Sequence, residues 1–135
     1  MVRVGICLGL VFLTGFGLAQ AQEAATKPEE GIAAYKACLD KAQTTVDLVD
    51  CQTQEMKVQD RDLNAVYKKA MAALPADQQA KLRLAQRAWL DFRQRDCDVF
   101  YGRETGTIAA IEAGSCMVRH TARRVADLQD LAIER

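Results

Sequence analysis

The sequence predicts an all-α protein, a small up-and-down bundle of about four helices stapled by two disulfides. Three observations carry this. Apolar residues recur at helical spacing over long stretches, no period-2 alternation survives five residues, and short breaks marked by proline or glycine separate the helical stretches. Short connections make consecutive helices antiparallel, which is the up-and-down arrangement.

The elements follow in chain order. Arg3 precedes an apolar run from Val4 to Leu18, and Ala19-Gln20-Ala21 is a small-x-small cleavage site. This reads as a secretory signal peptide over residues 1–21, with a mature protein from about Gln22. The run is short of the roughly 20 residues a membrane span needs, and Cys7 lies too early in it to be the acylated cysteine of a lipoprotein. No later run is apolar enough to span a bilayer. A soluble product, periplasmic or secreted, is expected.

Residues 22–30, with Pro28, read as a flexible polar leader, and residues 31–135 as the helical domain. A first short helix is predicted over residues 31–41. Thr44-Thr45-Val46-Asp47 then supplies an N-cap and an acidic residue for the first turn of a second helix. That helix runs to Leu74, with Leu48, Met56, Leu63, Val66, Tyr67 and Ala70 near one face. Gln52 and Gln59 fall on its buried side, which leaves room for a break near Asp60 within the run to Leu74. Pro75 ends it, because proline disfavours the helical conformation at the preceding residue. A third helix is predicted over residues 76–101, a turn over 102–106 and a fourth helix over 107–133, carrying Met117, Thr121, Val125, Leu128 and Leu131. Gly114 is its weak point, costing about 1 kcal/mol relative to alanine in a helix interior.

Charge is balanced, with 18 basic and 18 acidic side chains. Nothing global draws the chain to nucleic acid or to an anionic membrane. Beyond the leader four cysteines remain, Cys38, Cys51, Cys97 and Cys116. An even count in an exported chain argues for two disulfides, and four cysteines allow three pairings.

Catalytic chemistry finds little support. The one histidine, His120, follows Cys116 by one helical turn, which suggests a Cys-His nucleophile or half a zinc site. Oxidation of Cys116 and a partly exposed His120 account for the same residues more simply. Asp91, Asp96 and Asp98 point outward among Arg87, Gln94 and Arg95, as on a solvated face rather than as a glycosidase carboxylate pair. The expectation is a protein that is not an enzyme, with no catalytic residues, no metal and no cofactor.

The stretch LAQRAWLDFRQRDC is more informative. On a helix, Gln86, Trp89, Arg93 and Cys97 form one stripe, extended by Leu82 and Phe100. Arg93 on a core-facing position must be paired or hydrogen-bonded, since an unpaired buried charge costs several kcal/mol. Asn64, Tyr67 and Thr121 are its candidate partners, with Arg124 competing for acceptors. A buried network linking three helices is favoured over a ligand pocket floored by Trp89.

The same residues carry a resemblance. Leu63-Asn64-x-x-Tyr67-x-x-x-Met71, then Gln86-x-x-Trp89-x-x-x-Arg93-x-x-x-Cys97, then Gly106-Thr107, Cys116 and Thr121-x-x-Arg124-x-x-x-Leu128 resemble the lysozyme inhibitor LprI N-terminal-domain family. The resemblance spans residues 38–131. It implies a small, exported, helical, disulfide-bonded bacterial protein, with lysozyme inhibition as the activity of the namesake. The matched positions read as scaffold. Some relatives are lipoproteins, whereas this chain has no lipobox cysteine.

Inhibition by binding a C-type lysozyme is therefore the expected function. Such an enzyme is basic and its cleft uses two carboxylates. The turn between the third and fourth helices would enter the cleft, Arg103 meeting a catalytic carboxylate and Glu104 a basic rim. The competing expectation is a non-catalytic envelope module, an immunity or stress protein, with another partner. For the cysteines, Cys38 and Cys51 flank the first helical turn and Cys97 and Cys116 the second, so Cys38–Cys51 and Cys97–Cys116 bridges are predicted.

Overall fold

The computed structural model describes residues 28–133. The signal peptide expected over residues 1–21 and the leader up to residue 27 lie outside the described residues. Four helices are present: α1 (Pro28–Leu39), α2 (Thr45–Ala73), α3 (Ala76–Arg103) and α4 (Gly106–Ile133). No strand occurs among the described residues.

α1 begins inside the segment expected to be a flexible leader and ends two residues before Lys41. Proline tolerates the first helical position because the N–H it lacks would have no partner there. A Thr44/Asp47 capping box starts α2. The Asp47 amide donates to Thr44 Oγ1 at 3.1 Å, and Asp47 Oδ2 accepts from the amides of Gln43 and Thr44 at 3.0 and 2.9 Å. The Gln43 amide, with the Thr44 hydroxyl and amide behind it, holds the Asp47 carboxyl below its ordinary range.

The helix predicted to run to Leu74 is continuous: α2 shows no break at Asp60 and runs for 29 residues. Gln52 and Gln59 are buried and bonded, so they cost the helix nothing that would force it open. Leu74 takes the extended conformation before Pro75, and α3 starts at once. α3 continues two residues beyond Tyr101, so Gly102 and Arg103 belong to its last turn. The connection to α4 is only Glu104 and Thr105. Gly106 has φ +66°, the left-handed region glycine enters without steric cost, and this closes the turn.

α4 is the central helix, packing on α2 and α3, while α1 packs on α2. Gln52 near the start of α2 reaches Ile111 and Ser115 near the start of α4, so these two helices run parallel, with α3 antiparallel beside them. The upper part of the bundle holds an apolar core of Leu63, Val66, Ala70, Leu82, Val125 and Leu128, against which Tyr67, Met71 and Trp89 pack. The lower part is polar. Gln52 and Glu55 are buried, and Gln59 Nε2 donates to Glu55 Oε1 at 2.6 Å. The Tyr35 phenol of α1 joins them beside Ser115, and burial raises its pKa above the ordinary tyrosine range.

Gly114 explains itself in this polar half. A Cβ there would overlap the Gln52 side chain, whose Nε2 donates to Ile111 O at 2.8 Å and Ser115 Oγ at 2.9 Å. Glycine is what lets the glutamine lie across the α4 backbone. Gly114→Ala should therefore forfeit the roughly 1 kcal/mol that alanine gains in a helix. It displaces two buried hydrogen bonds worth about 1 kcal/mol each, for a net loss of about 1 kcal/mol in urea unfolding. In a Gln52→Ala background the same substitution should stabilise. A stabilising effect of Gly114→Ala in the wild-type background would contradict the packing.

Two disulfides join Cys38 to Cys51 and Cys97 to Cys116. The first ties α1 to α2 and the second ties α3 to α4. Both are the sequential pairs predicted from the helical turns.

Candidate functional site

Leu82 and Cys97 of the α3 stripe are buried, and Gln86, Trp89, Arg93 and Phe100 are half-buried between them. The Arg93 side chain is only 12% exposed. Its Nη1 donates to Thr121 Oγ1 at 2.7 Å on α4 and reaches Asp60 Oδ1 at 3.5 Å on α2. Thr121 in turn donates to the Met117 carbonyl at 2.7 Å. One guanidinium group thus ties three helices, and its buried Nε has no hydrogen-bond partner.

Of the expected partners of Arg93, Thr121 is in contact. Asn64 and Tyr67 instead line a cavity between α2 and α3, and the acidic partner is Asp60, on the solvent side of α2. Arg124 does not compete for the same acceptors. Its Nε donates to Gln86 Oε1 at 3.0 Å, a second α3–α4 link. Arg93 and Arg124 stand 4.9 and 5.9 Å from the Trp89 ring centroid, within cation–π range. Trp89 is a platform for two scaffold cations, and it lines neither of two cavities that open beside α3.

Those cavities lie along a groove walled by α2 and α3. One, about 490 Å³, is floored by Ala110, Ala113 and Gly114 of α4 and has Val49 and Tyr101 among its lining. The other, about 510 Å³, lies further along between Tyr67 and Arg83. Asp60 borders both, so the Asp60–Arg93 bridge stands at their junction.

The three aspartates of α3 differ, and only Asp98 lines the groove. Asp91 pairs with Arg95 at 2.8 Å and Asp98 accepts from Gln94 at 2.8 Å, both along the exposed helix surface. Asp96 departs from the solvated-face expectation. Its Oδ2 is 2.7 Å from His120 Nε2 on α4, and Phe92 packs edge-on against the imidazole at 5.3 Å. Cys116 is in a disulfide, and a disulfide sulfur is neither a thiolate nucleophile nor a thiolate ligand.

At the end of the bundle where α2 starts, α3 ends and α4 starts, Arg103 is exposed, with its guanidinium 5.6 Å from the Phe100 ring. Glu104 is half-buried, and its amide caps α3 on the Phe100 carbonyl at 3.0 Å. Among the large exposed apolar side chains, some, such as Leu84, Leu90 and Phe92, lie along α3, while Val46, Val49, Tyr101 and Ile108 lie toward this end. Sequence periodicity missed them as a group because they come from three helices. No described helix is long and apolar enough to cross a membrane.

Comparison with known proteins agrees with this scaffold. The chain is 28% identical over 131 residues to the uncharacterised protein YecT of Escherichia coli (strain K12), covering 82% of this chain and 81% of that one. It is 27% identical over 105 residues to an uncharacterised protein of Rhizobium meliloti (strain 1021), covering 67% and 76%. No solved structure matches. The profile of the lysozyme inhibitor LprI family matches residues 38–128, from the first disulfide through the Arg93 tie to the core Leu128. A bundle carrying both bridges and the Gln86–Trp89–Arg93–Thr121–Arg124 network over that span belongs to the lysozyme inhibitor LprI family.

Proposed function

We propose that this chain is an exported protein that inhibits a C-type lysozyme by binding it, without chemistry of its own. The observation that carries the reading is the family match over residues 38–128. The signal-peptide pattern of residues 1–21 supports export to the periplasm or beyond the cell.

The end of the bundle around the α3–α4 turn is the proposed contact. Exposed Tyr101 and Arg103 are residue types that dominate binding energy at interfaces, and Val46, Val49 and Ile108 surround them with apolar surface. An apolar patch with a polar rim is the usual form of a protein-binding surface. In this reading Arg103 meets a catalytic carboxylate and Glu104 a cationic rim. The near-neutral chain has little long-range steering, so affinity rests on local fit.

Purified mature protein, beginning near Gln22, should inhibit cell-wall lysis by a C-type lysozyme. Arg103→Ala with Glu104→Ala should weaken inhibition about tenfold, roughly 1.4 kcal/mol of binding, with unchanged helicity. No inhibition by the wild type at large molar excess across several lysozyme types would favour a different envelope partner. Full inhibition by the folded double variant would keep the activity and move the contact elsewhere on the bundle.

A further inference from the structure

The Asp96–His120 pair stands directly against the α3–α4 disulfide. The ligand atoms of Asp96, Cys97, Cys116 and His120 all lie within 4.8 Å of one another. Cys116 and His120 are four residues apart and share one face of α4, while Asp96 and Cys97 meet them from α3. Two sulfurs, an imidazole and a carboxylate are a zinc-class donor set, the thiolates selecting a softer cation than calcium or magnesium. Metal–ligand bonds of 2.0–2.3 Å place tetrahedral ligands about 3.5 Å apart, so the four groups need close in by only about an ångström. The two sulfurs need the opposite, to separate, and breaking their covalent bond permits it.

We propose that these four residues form an alternative, metal-held state of the α3–α4 staple: when the Cys97–Cys116 bridge is reduced, they bind one zinc-class divalent cation. The balance is explicit. A dithiol reductant supplies two electrons and two protons, the Sγ–Sγ bond opens to two thiols, and the reductant closes to its own disulfide. On metal binding the two thiols release their protons to solvent, and the imidazole, whose Nε2–H donates to Asp96 in the oxidised state, takes its proton on Nδ1 instead, by exchange with solvent, so that the Nε2 lone pair faces the cation. Both cysteines are 1% exposed and His120 is largely covered, so the bound cation would be shielded from water. Either state closes the same hairpin and keeps α3 against α4. The inference does not depend on the inhibitor reading.

Cobalt(II) is the probe, titrated anaerobically into the full mature chain after reduction with a phosphine. One equivalent should raise the visible bands of tetrahedral cobalt and a thiolate charge-transfer absorption. The Cys38→Ala/Cys51→Ala variant should behave as wild type, and Cys97→Ala/Cys116→Ala should show no bands. His120→Ala should weaken binding about tenfold or more. The oxidised chain should take up no cobalt. Circular dichroism is read in the same titration. If the reduced chain has lost helicity, cobalt should restore it together with the bands. Absent bands, bands without helicity, bands that survive loss of Cys97 and Cys116, or equal uptake by the oxidised chain would each overturn the proposal.

Discussion

Cys97→Ala/Cys116→Ala should destabilise the domain by about 3 kcal/mol in the chain-entropy account of disulfides, for a bridge closing a separation of 19 residues. Single domains are stable by only about 5–15 kcal/mol, so the loss is a large share of the total. It should lower Tm by roughly 15 °C, read by thermal unfolding followed by circular dichroism. The consequence for activity is local. The bridged segment contains the α3–α4 turn, with Arg103 and Glu104, so the bridge holds the proposed contact surface in position. Inhibition of lysozyme should fall with stability, even at temperatures where the variant remains folded, because a surface that must be ordered on binding loses affinity.

Cys38→Ala/Cys51→Ala is the control. Its separation of 13 residues gives a similar entropic term, about 3 kcal/mol. α1, however, packs chiefly on α2. Its release should fray α1 and leave the apolar core and the α3–α4 turn in place, so inhibition should fall less than in Cys97→Ala/Cys116→Ala, the loss coming from Val46 and Val49 within the Cys38–Cys51 segment. Equal loss of inhibition from both variants would show that neither bridge acts through the turn.

What could be read in advance follows a physical line. The Thr44/Asp47 cap, the stop at Pro75 and the turn ending in Gly106 depend on neighbouring residues alone, and each was legible as sequence. The cysteine pairing followed because each bridge spans one connection between consecutive helices. The apolar stripes of α2 and α4 placed Leu63, Val66, Val125 and Leu128 in the core, where they are found.

The polar half of the interface was harder. Gln52 and Gln59 on a buried face are equally compatible with a broken helix and with a satisfied network. The choice rests on partners: Ser115 and the Ile111 carbonyl lie about 60 residues away for Gln52. Gly114 had the same ambiguity, since a close approach of Gln52 is a property of two helices and not of one. That α2 and α4 would pair in parallel was also outside local pattern, because the intervening α3 permits it without dictating it. Among site residues, the turn position of Arg103 was readable, while the exposed apolar side chains toward the same end come from three separate helices.

Arg93→Ala should be the second large effect, a loss of about 2–3 kcal/mol. The size of the loss depends on what is left behind. Thr121 Oγ1 keeps its bond to the Met117 carbonyl, and Asp60, 52% exposed, is solvated without its partner. Neither group becomes a buried orphan, and the buried Nε that lacks a partner is removed. The loss therefore comes from the tie itself, from the cation–π contact with Trp89, and from the methylenes that fill the space between α2 and α3. Arg93→Met restores the methylenes but not the charge, so it should recover about 1 kcal/mol of the loss. Arg95→Met, removing an exposed pair with Asp91, should change stability by less than about 0.5 kcal/mol. Urea unfolding of the three variants measures the order directly. If Arg93→Met matches the wild type, packing alone explains the residue and the three-helix tie contributes nothing. If Arg93→Met is as damaging as Arg93→Ala, the charge is what matters. Asp60→Asn should then reproduce a smaller part of the loss, since its contact is the longer and more exposed of the two.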